Sequence, residues 1–266
     1  MAVSSPRPLR RLLRAAAFTN AATFWVLLRE GKGPAFCYLK QMIGCYDGRT
    51  YLPWRATTAP TVPEMLPGAV FPEADVAAIE LLHPLPAPGG INVLELLILT
   101  SLAAARQPRR IVEIGVAAGR TTINLAAQAP QAEIIAVDLP PEAPEAADSA
   151  GPDYRQLGLE QPGRLFLGQP AAERITLLLA DSTRHDWSAY HGSVDLIFID
   201  GAHDYQSVKA DSENALAMLR PGGLIFWHDY SWVEGVTRYL NELHQRRQLV
   251  WLGGTHLACL APDRPA

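Results

Sequence analysis

Two acids and two histidines recur at matching places within residues 194–230, VDLIFIDGAHDYQSVKADSENALAMLRPGGLIFWHDY. The apolar runs Val194–Ile199 and Leu224–Trp227 are followed, at once or nearly so, by Asp200 and Asp229. The stretch between them, Tyr205 to Leu219, has the amphipathic spacing of a helix. If the two runs are neighbouring parallel strands, both carboxylates emerge at one sheet edge. His203 and His228 lie beside them. Carboxylates and imidazoles gathered in this way can hold a divalent metal, orient a hydroxyl and accept its proton. His203 is the candidate base, because imidazole titrates near neutrality, and Asp204 is a candidate to orient it. Two blander readings stay open: His203 as a helix cap, and His228 as a buried histidine facing the other side of its strand.

A second constellation lies upstream. Glu113, Gly115 and Gly119 form E-x-G-x-x-x-G after an apolar strand and at the start of a helix. Glycines there let the chain turn sharply and let a ligand approach the backbone, and the helix start offers free N–H groups. Asp138 ends the next strand, where an acid can accept both ribose hydroxyls of a nucleoside. Asp181 and Ser182 end the one after, within reach of an adenine edge. Each feature alone also reads as a turn or a strand-end cap. Three in register at successive strand ends favour a nucleoside ligand. Ala117 occupies the place of the middle glycine in a dinucleotide fingerprint, which disfavours a pyrophosphate.

These residues need a scaffold, and the flanking pattern supplies one. Strands are expected at Arg110–Ile114, Glu133–Val137, Ile175–Ala180, Val194–Ile199 and Leu224–Trp227. Helices are expected at Pro72–Leu82, Asn92–Ala105, Thr121–Gln128, Tyr205–Leu219 and Val233–Gln245. The short strands Leu249–Leu252 and Thr255–Leu260 flank Gly253-Gly254, a hairpin signal that makes the last strand antiparallel. Arg220–Gly223 reads as a helix end and turn. Trp227, Tyr230 and Trp232 read as packing residues or as the lining of an acceptor pocket. Alternating strands and helices indicate an α/β fold, a mostly parallel sheet of seven strands with helices on both faces. Residues 52–73 carry Pro53, Pro60, Pro63, Pro67 and Pro72 and read as an extended linker. Residues 139–170 form a long loop that can overhang the site.

The motifs VEIGVAAGRTT, AVDL and LLADS resemble those of the class I S-adenosylmethionine-dependent methyltransferases. IDGAHDY followed by LRPGGLIFWHDY is similar to the small-molecule O-methyltransferases of catechols and macrolide sugars, and to the cephalosporin-hydroxylase-like group. The resemblance covers residues 90–260. It implies a Rossmann-like methyltransferase domain, placed over 71–266; residues 1–70, outside the resemblance, read as a helical and linker region. It implies S-adenosyl-L-methionine bound by Glu113, Gly115, Gly119, Asp138, Asp181 and Ser182. It further implies a divalent metal, Mg or Mn, held by Asp200 and Asp229, with His203 as base; His228 is a third candidate ligand from its place beside Asp229. The family tandem is often two acids or an acid and an amide. His228-Asp229 departs from it, and a nitrogen ligand would favour Mn, Fe or Zn over Mg. The alternatives are a nicotinamide-dependent oxidoreductase and a non-catalytic nucleoside-binding scaffold.

At 266 residues and a net charge of −4, the chain suits one α/β domain with an appendage and shows no bulk attraction to nucleic acid. Cys37, Cys45 and Cys259 make neither a disulfide framework nor a metal spacing, which fits a reducing, cytoplasmic setting. Arg7, Arg10, Arg11 and Arg14 precede the apolar stretch Ala15–Leu28. That stretch is too short and too interrupted to span a bilayer. It reads as an amphipathic helix that caps the site, packs on its own domain or touches a membrane surface. The expected partners are a small hydroxylated substrate and a second copy of the chain.

Overall fold

The computed structural model describes residues 56–84, 90–141 and 161–261. The helix expected within residues 1–50 and most of the 139–170 loop lie outside the described residues. The strands are β1 (Glu64–Met65), β2 (Arg110–Ile114), β3 (Glu133–Asp138), β4 (Ile175–Leu179), β5 (Val194–Ile199), β6 (Leu219–Trp227), β7 (Leu249–Leu252) and β8 (Ala258–Leu260). The helices are α1 (Pro67–Val70), α2 (Val93–Arg106), α3 (Arg120–Gln128), α4 (Tyr205–Met218) and α5 (Glu234–His244). One sheet holds all eight strands in the order β1-β7-β8-β6-β5-β2-β3-β4. Every pair is parallel except the two made by β8, which is antiparallel as the Gly253-Gly254 hairpin required. Among the described residues no helix is long and apolar enough to cross a membrane.

Side chains alternate across the strands. Val112, Ile114, Val137, Ile199 and Trp227 pack with Val208, Met218, Val236 and Leu240 of α4 and α5. Ile111, Ile134, Leu196, Phe198 and Phe226 pack with Leu96, Leu99, Leu102 and Leu125 of α2 and α3. Both faces are covered, so the central strands read as unbroken apolar runs. Each fully buried side chain of this size contributes roughly 1.5–3 kcal/mol. The alternation slips once: the β5–β6 register shifts between Val194 and Leu196, and Val194 joins the same face as Ile197.

Three expectations change. First, the sheet has an eighth strand. The proline-rich segment is extended, but it is packed rather than free. The N–H groups of Thr57 and Thr58 reach Glu234 Oε2, and those of Thr61 and Val62 reach Tyr230 Oη. The segment then lays Glu64–Met65 along the open edge of β7. Second, β6 begins at Leu219, so Arg220–Gly223 is strand rather than turn. Third, Pro72–Leu82 is not a helix. Only the 3₁₀ turn Val76–Ala78 forms, with Asp75 accepting from the Ala77 N–H. The backbone here is satisfied by side chains one turn apart on α3. Gln128 donates to Glu80 O at 3.1 Å, and Asn124 pairs with both Leu82 N and O at 2.8 Å. The Arg120 guanidinium donates to the carbonyls of His83, Pro84 and Ile91. Those bonds replace the internal ladder of a helix.

Candidate active site

Pairing brings the chemistry to one sheet edge. Ile114 aligns with Ile199 and Ile199 with Trp227, so Asp200 and His228 leave adjacent strands side by side. Asp229 follows at φ 62, a left-handed conformation that costs most residues but that aspartate tolerates. Its Oδ2 lies 2.9 Å from His203 Nε2. Asp204 does not orient the imidazole. It caps α4, accepting from the N–H groups of Gln206 and Ser207 at 3.0 Å, and Asp229 takes the place beside His203.

His228 faces carboxylates with both ring nitrogens. Nδ1 lies 2.9 Å from Asp200 Oδ1 and 3.4 Å from Asp229 Oδ1, and Nε2 lies 3.2 Å from Glu95 Oε2. This geometry differs from the ligand set expected from sequence. Among the described residues, the group able to hold a cation is Asp200, His203 and Asp229, whose donor atoms lie within 4.8 Å of one another. His203 lies within this group, and His228 lies beside it with Nδ1 2.9 Å from Asp200 Oδ1. Two carboxylates and one imidazole fit a borderline divalent ion such as Mn, Fe or Zn.

Burial pulls the His228 pKa down, but Asp200, Asp229 and Glu95 outweigh it and hold the ring well above its ordinary value. Burial opposes the charge on Asp229 as well, yet His228 and His203 keep its carboxyl well below the usual range. Asp200 moves the other way, raised by burial and by its neighbour Asp229 against the pull of His228. For His203, burial lowers the pKa while Asp229 and Asp200 raise it, with a net upward shift. The pocket is thus a cluster of opposed charges.

The cofactor end lies on the adjacent strands. Gly115 sits at φ 88, and a Cβ there would stand 2.0 Å from Asp200 O. Only glycine lets the turn after β2 press against the end of β5. Gly119 begins α3 at φ 85, with the Phe166 ring packed where its Cβ would be. Residues 161–167, the end of the long loop, bond to this turn through Gly163 N to Ala117 O and Leu165 N to Ala118 O.

Asp138 Oδ2 accepts from Val116 N and Ala117 N at 3.0 and 2.7 Å, and Oδ1 accepts from Leu139 N. A carboxylate has about four acceptor sites, so one remains for a ribose hydroxyl; accepting two would require the turn to release a bond. Asp181 spends Oδ1 on the N–H and hydroxyl of Thr183. The carbonyl of Ser182 receives Trp187 Nε1. Glu113 is 1% exposed, and burial pushes its carboxyl up to about 8, so it is a neutral acid at pH 7.

Trp227 and Tyr230 are core residues, with Trp227 Nε1 bonded to Ser212 Oγ. Trp232 lies at the site edge, its ring 5.1 Å from that of His256. Two residues at this edge had no place in the sequence reading. Glu95 carried a signal, since Asn92-x-x-Glu95 is a capping-box pattern, although the pattern says nothing of His228. His256 follows a turn and carried none.

A parallel sheet with one antiparallel strand, a glycine turn after β2 and acids at the ends of β3, β4, β5 and β6 define the class I methyltransferase architecture. The family model described as a methyltransferase domain matches residues 112–230. The O-methyltransferase NovP shares the fold at TM-score 0.50 and 12% identity, over 65% of this chain and 81% of that one. TomG from Streptomyces achromogenes, an O-methyltransferase solved with SAM, aligns at TM-score 0.44 and 19% identity over 76% and 92%. The SAH-bound methyltransferase PaMTH1 of Podospora anserina aligns at TM-score 0.43 and 18% identity over 66% and 81%. No curated protein matches the chain in sequence.

Proposed function

We propose that the protein transfers the methyl group of S-adenosylmethionine to a hydroxyl of a small molecule, a sugar or secondary metabolite. The observation that carries this reading is the meeting, at one sheet edge, of the glycine turn with the Asp200–His203–Asp229 cluster. The sulfonium methyl is already activated, so the protein's task is to orient and deprotonate the acceptor. His203, oriented by Asp229, takes the hydroxyl proton. The acceptor oxygen then forms its bond to the methyl carbon as the carbon–sulfur bond breaks, and neutral S-adenosylhomocysteine leaves. The proton passes from His203, whose side chain is 36% exposed, to solvent. Asp200 and Asp229 would hold a divalent cation, which when bound lowers the acceptor's pKa.

The nicotinamide alternative lacks support, because Ala117 leaves no middle glycine for a pyrophosphate. The acceptor would be selected by residues 1–70 and by the 139–170 loop. A cytoplasmic site of action, self-association and a membrane contact through the N-terminal helix belong to the same proposal.

Methyl transfer from tritiated S-adenosylmethionine to a panel of catechols and hexosides, with and without EDTA, tests the reading. His203→Ala should lose roughly 10²–10⁴-fold in kcat. Unchanged Mn²⁺ affinity in that variant, read by electron paramagnetic resonance, supports a base; a parallel loss of affinity makes His203 a ligand. Full activity in His203→Ala refutes the mechanism.

A further inference from the structure

We infer that Glu95 is a positioning residue for this methyl transfer, fixing the His228 ring and through it the Asp200 carboxylate. The inference rests on the proposed function. Glu95 is the third residue of α2 and is 1% exposed. A glutamate at this position ordinarily closes a capping box and remains at the helix surface. A buried carboxylate is costly unless its lone pairs are filled, and three donors from three elements surround this one. Oε2 accepts from Asn92 N–H at 2.9 Å at the start of α2. Oε1 accepts from His256 N–H at 2.7 Å in the β7–β8 hairpin. His228 Nε2, at the end of β6, lies 3.2 Å from Oε2.

The consequence lies on the far side of the imidazole. With Nε2 against Glu95 and Nδ1 2.9 Å from Asp200 Oδ1, the His228 ring is held at both nitrogens and cannot turn. Asp200 follows β5, and its Oδ1 meets this held ring. Holding Oδ1 against His228 keeps the carboxylate beside His203 and Asp229. Glu95 thus reaches the reacting edge without touching the acceptor, across 133 residues of sequence. Outer partners of this kind commonly change activity or metal affinity by roughly 10–100-fold.

The test compares Glu95→Ala, Glu95→Gln and Asn92→Ala in the full chain. Asn92→Ala breaks the same capping box without touching His228. Glu95→Ala should lower kcat on the best acceptor of the panel about 10–100-fold, with the KM for S-adenosylmethionine within about twofold of wild type. Glu95→Gln keeps one oxygen to accept from His228 but turns its NH2 toward the His256 N–H, so it should recover only part of kcat. Asn92→Ala should lose thermal stability but keep kcat. Crystal structures of wild type and Glu95→Ala give a readout free of turnover: the His228 ring and the Asp200 carboxylate should leave their places in the variant. Both groups unmoved, or an equal kcat loss in Asn92→Ala, overturns the inference. A wild type that transfers no methyl group to the panel counts against the proposed function instead, and the crystal pair still decides the role of Glu95.

Discussion

Glu113→Gln should stabilise the protein, by an amount that grows with pH. Glu113 is buried beneath the glycine turn, and desolvation pushes its carboxyl from 4.5 to about 8, against the pull of Thr122. A carboxyl whose pKa is raised on folding favours the folded state most below its unfolded pKa. That advantage is lost as pH rises from 4.5 toward about 8, because the folded chain must keep a proton that the unfolded chain releases. Each pKa unit corresponds to about 1.4 kcal/mol, so retaining the proton costs about 1 kcal/mol at pH 5, about 3 at pH 7 and about 5 above pH 9. Glutamine has nearly the same shape and no proton to lose. Urea unfolding of both proteins at pH 5, 7 and 9 should therefore show a stability gap that widens by about 4 kcal/mol over the series. A gap that does not change with pH would mean that Glu113 is ionised in the folded state, and the account of its environment would fall. Calorimetry with S-adenosylmethionine should show weaker binding by Glu113→Gln if the carboxyl also serves the cofactor.

Two further perturbations separate turn from cap. Gly115→Ala forces a Cβ to within 2.0 Å of Asp200 O at a positive φ, and should cost more than about 3 kcal/mol in urea unfolding; a near-neutral variant would show that the turn can move away from β5. Asp204→Ala removes the α4 cap and should cost about 1 kcal/mol while leaving methyl transfer unchanged, and a large kcat loss would return Asp204 to the catalytic group.

What the sequence could express was local. The apolar runs Ile111–Ile114 and Leu224–Trp227, the Gly115–Gly119 turn, the Gly253-Gly254 hairpin and the acids Asp138, Asp181, Asp200 and Asp229 at strand ends all follow from short-range pattern, and each stands where expected. Strand-end acids were legible as a site because parallel strands joined by helices must all end at one edge. Partners across that edge were not legible. Which side His228 faces depends on where α2 lies, and only packing delivers Glu95 to its Nε2. His203 and Asp204 are adjacent in sequence, yet the left-handed turn at Asp229 decides which acid meets the imidazole. Likewise Pro72–Leu82 has helical composition, but the α3 side chains Arg120, Asn124 and Gln128 take up backbone groups of residues 80–84 and of Ile91. Periodicity and turn chemistry act within a few residues and are written in order along the chain. Long-range hydrogen bonds are chosen by competition among all the groups that the fold brings together, and that competition gave His228 to Glu95 and His203 to Asp229.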